Sequence, residues 1–168
     1  MAKPLEPKRV RESQIALVQL MERTDANIAG IVHGGVVMRL ADTAAGLAAI
    51  KHSGGLAVTA SMDQMSFLHP VHVGDTLTIS ASVNDVGTTS LEVGVRVESE
   101  NIFTREVFHT SSAYFVYVAI DDQGKPRPVP PLIAETPDEQ RRQAEAKIRR
   151  ETRLAHRKAI EDLRRETR

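Results

Sequence analysis

The sequence predicts an α+β fold in which a curved antiparallel sheet wraps one long buried helix, followed by a second, charged helix at the C-terminal end. Three observations carry this expectation. Val36 to Ile50 is dense in alanine, holds no proline and has a single glycine, Gly46, as a helix requires. Leu77, Ile79, Ala81 and Val83 alternate with Thr76, Thr78, Ser80 and Ser82, and Leu91, Val93, Val95 and Val97 repeat the pattern, so both segments read as half-buried strands. Beyond the prolines at 126, 128, 130 and 131, Thr136-Pro137-Asp138-Glu139 combines a capping box with proline at the first helical position.

In chain order, Ile15 to Met21 (IALVQLM) reads as a first strand, ended by the polar run Glu22-Arg23-Thr24-Asp25. Gly30, Gly34 and Gly35 punctuate the loop that follows. The helix then carries Val36, Val37, Leu40, Ala41, Ala44, Ala45, Leu47, Ala48 and Ile50 around nearly its whole circumference, which predicts burial on all sides. Strands run from Leu56 to about Ile120, and Gly74-Asp75, Asn84-Asp85-Val86-Gly87 and Glu98 to Thr104 read as hairpin connections between them. Asp121-Asp122-Gln123-Gly124 and the prolines form a stiff linker. The last helix has only a thin apolar stripe of Ala144, Ile148, Ala155, Ala159 and Leu163. The expected organisation is an extension over 1–10, a domain over 11–120, a linker over 121–136 and a basic helix over 137–168, with no internal repeat.

With 168 residues, 41% of them apolar and 26% charged, one globular domain plus an appendage is expected. The formal net charge is zero, yet residues 137–168 hold 11 Lys and Arg against 7 Asp and Glu, leaving a mildly acidic body. A charge-rich helix of this kind is more often solvated or packed on a subunit than bound to nucleic acid, so a nucleic-acid partner is the minority reading. The chain has no cysteine, which excludes disulfides, thiolate metal sites and a cysteine nucleophile. His52, His69, His72, His109 and His156 show no metal-ligand spacing, and no metal is expected. No run is long enough to span a bilayer and MAKPLEPKRV lacks the apolar centre of a signal peptide, so the expected location is the cytoplasm.

Chemistry concentrates in Asp25-Ala26-Asn27-Ile28-Ala29-Gly30-Ile31-Val32-His33-Gly34-Gly35 and the following Leu40-Ala41-Asp42. A helix beginning at Gly34 and Gly35 leaves its first N–H groups without internal partners at the positive end of the dipole, an oxyanion hole that glycine leaves open to an approaching carbonyl. Asp42 lies eight residues further on, roughly 12 Å along a helix. Oxyanion donors and attacking group must both come within about 3 Å of one reacting centre, so Asp42, as base or as nucleophile, serves a site completed by another chain, and a dimer is expected. Asn27, in the loop before the glycines, is placed to orient a water or to hydrogen-bond the carbonyl. By itself Asn27 also reads as a turn residue, and Asp42 as an i, i+3 partner of Arg39. His33 shapes the loop or caps the helix.

Asn27-Ile28-Ala29-Gly30 through His33-Gly34-Gly35, Leu40-Ala41-Asp42 and Ala45-Gly46 resemble the acyl-CoA hydrolases of the brain-type cytosolic group and their bacterial relatives. Further matches are Thr59-Ala60-Ser61-Met62-Asp63 with Phe67, Val73-Gly74-Asp75, Ser90-Leu91-Glu92-Val93, Ala113-Tyr114-Phe115-Val116-Tyr117-Val118 and Pro128-Val129-Pro130. The resemblance spans about residues 10 to 145 and is specific as an ordered set. It implies a hotdog fold, thioester hydrolysis of a fatty acyl-CoA with no cofactor beyond the CoA of the substrate, and paired hotdog units that assemble to a hexamer. It also implies catalytic roles for Asn27 and Asp42 from opposite sides of the pair.

Thr88, Thr89 and Ser90 are candidates to hold the pantetheine or phosphates of CoA, against an ordinary polar hairpin. Met62, Met65 and Phe67 are candidates for an acyl tunnel, against core packing. The competing functions are a non-catalytic acyl-CoA-binding protein, a hotdog dehydratase or hydratase, and an RNA- or membrane-associated scaffold. The first needs an output domain, the second an acid-base pair that usually includes histidine, and the third would act through residues 137–168.

Overall fold

The computed structural model describes residues 5–166. Residues 1–4 of the expected extension and the last two residues of the expected second helix lie outside the described residues. The order is β1 (Lys8–Arg9), β2 (Ile15–Leu20), α1 (Gly34–Ser53), β3 (Ala57–Phe67), β4 (Asp75–Val86), β5 (Ser90–Asn101), β6 (Val107–Ala119), β7 (Leu132–Ile133) and α2 (Pro137–Glu166). Five strands form one antiparallel sheet in the order β2-β4-β5-β6-β3, and β1 pairs with β7 in a separate short parallel ladder.

The predicted alternation builds the core. Leu77, Ile79, Ala81 and Val83 of β4, Leu91, Val93, Val95 and Val97 of β5, and Ala113, Phe115, Tyr117 and Ala119 of β6 all point to one face and pack against α1. From the helix side, Ala41, Ala44, Ala45, Ala48 and Ala49 are each 0% exposed. The helix is not buried all round, however. Met38, Leu47 and Ile50 are 37%, 42% and 38% exposed. The sheet wraps only part of the helix, because among the described residues β3 is an edge strand with no neighbour beyond it.

All three predicted hairpin connections differ in the structure. Gly74-Asp75 joins β3 to β4, which lie on opposite sides of the sheet, so this connection is a crossover. It passes under the entrance to α1, where Val32 N–H donates to the Val71 carbonyl and Gly74 N–H to the Met21 carbonyl. Asn84, Asp85 and Val86 belong to β4, and the turn itself is Gly87-Thr88-Thr89. A bulge between Val83 and Asp85 turns Asp85 to the outer face, where α2 covers it. In the third, β5 continues to Asn101 and the turn lies over Ile102 to Glu106, with Arg105 at φ 64°.

The segments flanking the sheet close over the C-terminal end of α1. Lys8 Nζ donates to the carbonyls of Lys51 and His52 at 3.0 and 2.8 Å, filling helix-end acceptors that have no partner within the helix. His52 is fully buried, and its Nε2 donates to the Pro130 carbonyl at 3.0 Å. Val10 and Val129 are buried beside it, so the proline-rich segment packs on the domain instead of acting as a free spacer. The capping box at α2 forms as predicted: Glu139 N–H donates to Thr136 Oγ1, and Thr136 N–H donates to Glu139 Oε2.

Burial is the largest influence on His52 and holds its pKa below the usual imidazole value. The unfolded chain therefore takes up a proton near pH 6.5 that the folded chain resists. The contribution of His52 to stability is complete above that pH and is lost as the pH falls below it. Urea midpoints measured between pH 7.5 and 5 should fall more steeply with acidification for the parent than for His52→Gln; equal slopes would contradict this assignment.

Candidate active site

The loop before α1 is held by backbone bonds: Asn27 N–H donates to the Ile31 carbonyl and Gly30 N–H to the Asn27 carbonyl. Gly30 adopts φ 79°, in the left-handed region where a side chain is strained. Asn27 Oδ1 accepts the Ala29 N–H at 2.8 Å, an Asx turn that fixes the side chain and leaves its NH2 group as the outward donor. That NH2 group has no partner among the described residues.

His33 caps α1, accepting the Gly35 N–H on Nδ1 at 2.9 Å. This splits the glycine pair anticipated as an oxyanion hole. The Gly35 amide is engaged, while the Gly34 amide has no partner among the described residues. Gly34 also faces the ring of Phe67, whose nearest carbon would lie 3.5 Å from an added Cβ, so the first turn of α1 sits beside the far end of β3. Since Nδ1 is an acceptor, the proton of the neutral imidazole is on Nε2.

Asp42 lies on the second turn beyond, turned toward β3 and β6. Thr59 Oγ1 donates to Asp42 Oδ1 at 2.9 Å and Tyr117 Oη donates to the same oxygen at 2.7 Å, with a further contact from Tyr117 Oη to the Asp42 carbonyl at 2.8 Å. Both hydroxyls converge on one carboxylate oxygen, Oδ1. Burial is the main cause that raises the Tyr117 pKa above the usual phenol value, so Tyr117 stays a donor at neutral pH.

Within one chain Asn27 and Gly34 stand at the entrance to α1, while Asp42 with Thr59 and Tyr117 lies two turns further along it, so the helix holds the two groups apart. Thr88, Thr89 and Ser90 join neither. The Thr88 carbonyl accepts Val129 N–H, the Thr89 carbonyl accepts Ala119 N–H and the Ser90 carbonyl accepts Gly87 N–H. Met65 packs on the core, whereas Met62 and Phe67 are exposed along β3. Thr59 and Tyr117 had no role assigned from sequence. The available signal was a hydroxyl on a core-facing aromatic, since a buried phenol requires a partner.

An antiparallel sheet curved around a central helix, with polar groups at the helix entrance and on its exposed flank, defines the hotdog class. The thioesterase superfamily model matches residues 29–102. The chain is 32% identical over 122 residues to the acyl-CoA thioester hydrolase YciA of Salmonella typhimurium, covering 71% of this chain and 92% of that protein. It is 38% identical over 146 residues to the cytosolic acyl coenzyme A thioester hydrolase of Mus musculus, covering 86% of this chain but 38% of the mouse protein. An apo-hexameric acyl-CoA thioesterase superposes with a TM-score of 0.88 at 36% identity, covering 90% of this chain and 97% of that one. The Staphylococcus aureus acyl-CoA hydrolase bound to butyryl coenzyme A, coenzyme A and coenzyme A disulfide gives a TM-score of 0.86 at 33% identity, covering 93% and 95%. That enzyme has also been solved with single alanine replacements of an aspartate, an asparagine and a threonine. The chain belongs to the acyl-CoA thioester hydrolases of the thioesterase superfamily.

Because Tyr117 is buried and its ring fills the core beneath Asp42, Tyr117→Phe keeps the packing and removes only the hydroxyl. It should lower unfolding stability by about 1 kcal/mol, against about 3–5 kcal/mol for Tyr117→Ala. Chemical denaturation of the two variants checks this, and a similar loss in both would show that the hydroxyl bonds dominate over packing.

Proposed function

We propose that the chain hydrolyses acyl-CoA thioesters to free CoA and a carboxylic acid, in a site completed by two copies of the chain. The carrying observation is the arrangement of the two half-sites at the two ends of an open strand. Asp42 lies by Thr59 near the start of β3 and Gly34 by Phe67 at its end. If β3 pairs antiparallel with β3 of a second copy, the start of one strand adjoins the end of the other. Asp42 of one chain then faces Asn27 and Gly34 of its partner. Such pairing also covers the edge strand.

A second support is spacing. The three residues replaced in the S. aureus hydrolase are an asparagine, an aspartate 15 positions later and a threonine 17 beyond that, the same spacing as Asn27, Asp42 and Thr59. Asp42 Oδ2 takes a proton from water as the water oxygen adds to the thioester carbonyl. The Asn27 NH2 group and the Gly34 amide stabilise the resulting oxyanion. Collapse expels the CoA thiolate, which receives the proton from Asp42. CoA enters as part of the substrate and no further cofactor takes part. His33 is occupied as a helix cap, which disfavours the dehydratase reading.

The hexamer of the solved thioesterase supports three such dimers per assembly here. Among the described residues no helix is long and apolar enough to cross a membrane, and the mouse relative is named as cytosolic, which supports a cytoplasmic place of action. Thr88, Thr89 and Ser90 remain proposed contacts for CoA through their side chains, on the sheet end nearer Asp42, since Leu91 pairs with Tyr117.

Thiol release from acyl-CoAs of two carbons upward tests the activity. Asp42→Asn and Asn27→Ala should each lower kcat by on the order of a hundredfold while the fold persists. Mixed and allowed to exchange, the two variants should recover about a quarter of parental activity, because half the dimers are mixed and each holds one intact site. Subunit exchange without recovery would exclude the shared site, and an undiminished Asp42→Asn would exclude the catalytic assignment.

A further inference from the structure

The outer face of the sheet carries buried acidic groups, and α2 lies across them. Gln143 Nε2 donates to Asp85 on β4, Arg149 pairs with Glu92 on β5 at 2.7 Å and stacks 3.7 Å over the Tyr114 ring on β6, and Arg153 pairs with Asp63 on β3. These contacts follow the strand order β4-β5-β6-β3. The ten residues from Gln143 to Arg153 rise roughly 15 Å, and three strand spacings measure roughly 14 Å. The helix thus runs nearly perpendicular to the strands and reaches the open edge at Arg153. Residues 154–166 continue past it for roughly 20 Å, and every one of them is exposed.

The space they enter is the one a second copy occupies when β3 pairs with β3. We propose that residues 154–166 form an intersubunit clasp, packing antiparallel against the same segment of the partner on the outer face of the joined sheet. This inference rests on the β3 pairing proposed above. The two-fold axis would lie about half a strand spacing beyond β3, one to two helical residues past Arg153. Thr152, His156 and Ile160 follow one another at i, i+4, i+8 along one flank, with His156 nearest that point. Antiparallel packing about His156 sets Thr152 against the partner subunit's Ile160 and His156 against the partner subunit's His156. The opposite flank would set like charges together, Glu151 against the partner's Glu161 and Lys147 against the partner's Arg165. Charge therefore selects the flank of His156 and Ile160, and a second copy is the occupant whose shape and position the helix already fits.

The chain has no cysteine, so a single introduced one reports proximity directly. Under mild oxidation of the full-length protein, His156→Cys should give a covalent dimer on a non-reducing gel, while Lys158→Cys on the opposite flank should give far less. A stop after Arg153 should speed subunit exchange at least tenfold and leave thermal unfolding cooperative. If the native mass is a dimer or its multiple but neither His156→Cys nor the double variant Thr152→Cys with Ile160→Cys cross-links, the clasp is wrong while the β3 pairing stands. A monomeric native mass overturns the pairing and the clasp together. An unchanged exchange rate after truncation, with loss of salt-sensitive binding to an RNA duplex, would assign the segment to nucleic acid and overturn the clasp.

Discussion

The close approach of α1 to the sheet is the constraint on which the rest of the structure depends. Five alanines on one side of the helix allow its backbone to settle against the valines and leucines of β4 and β5 with no long side chain between them. At that separation Tyr117 can stand within the core and still reach both the carboxylate and the carbonyl of Asp42. A helix face of leucines would stand further off, and the hydroxyl would be left without its partner. The orientation of Asp42 is thus a result of core packing as much as of local chemistry.

The same packing explains why the polar groups divide into two sets. The helix entrance belongs to the loop that crosses beneath the sheet, whereas the middle of the helix belongs to β3 and β6. Nothing within one chain can bring the two together, because a rigid helix holds them apart. Under the proposed pairing, the open edge and the divided polar groups have one resolution, since a second copy at the edge covers the one and completes the other.

Much of this was legible in the sequence because it rests on local periodicity. The alanine-rich run, the alternating strands, the capping box at Thr136 and the separation of Asp42 from Gly34 all follow from spacing within a few residues. What escaped depends on contacts between distant residues. Thr59 and Tyr117 act through Asp42, 17 and 75 positions away. Gly74-Asp75 has the local chemistry of a tight turn, but turn chemistry does not say which strand comes next. Asn84 and Asp85 read as turn residues because they are polar; they are strand residues that α2 covers. The Gly35 amide depends on a single ring, His33, whose orientation no composition argument could provide.

The seam at the end of α1 bears on how the chain folds as it is made. Lys8 and His52 find their places only when the stretch from Pro130 to Leu132 arrives, and the His52 bond spans 78 positions. Contacts of such long range are slow to form, and on a growing chain they must wait for late synthesis. Until that stretch leaves the ribosome, the His52 ring lacks the carbonyl it bonds in the finished fold. The closing of this seam is therefore a natural last step, one that separates a nascent sheet from a finished domain.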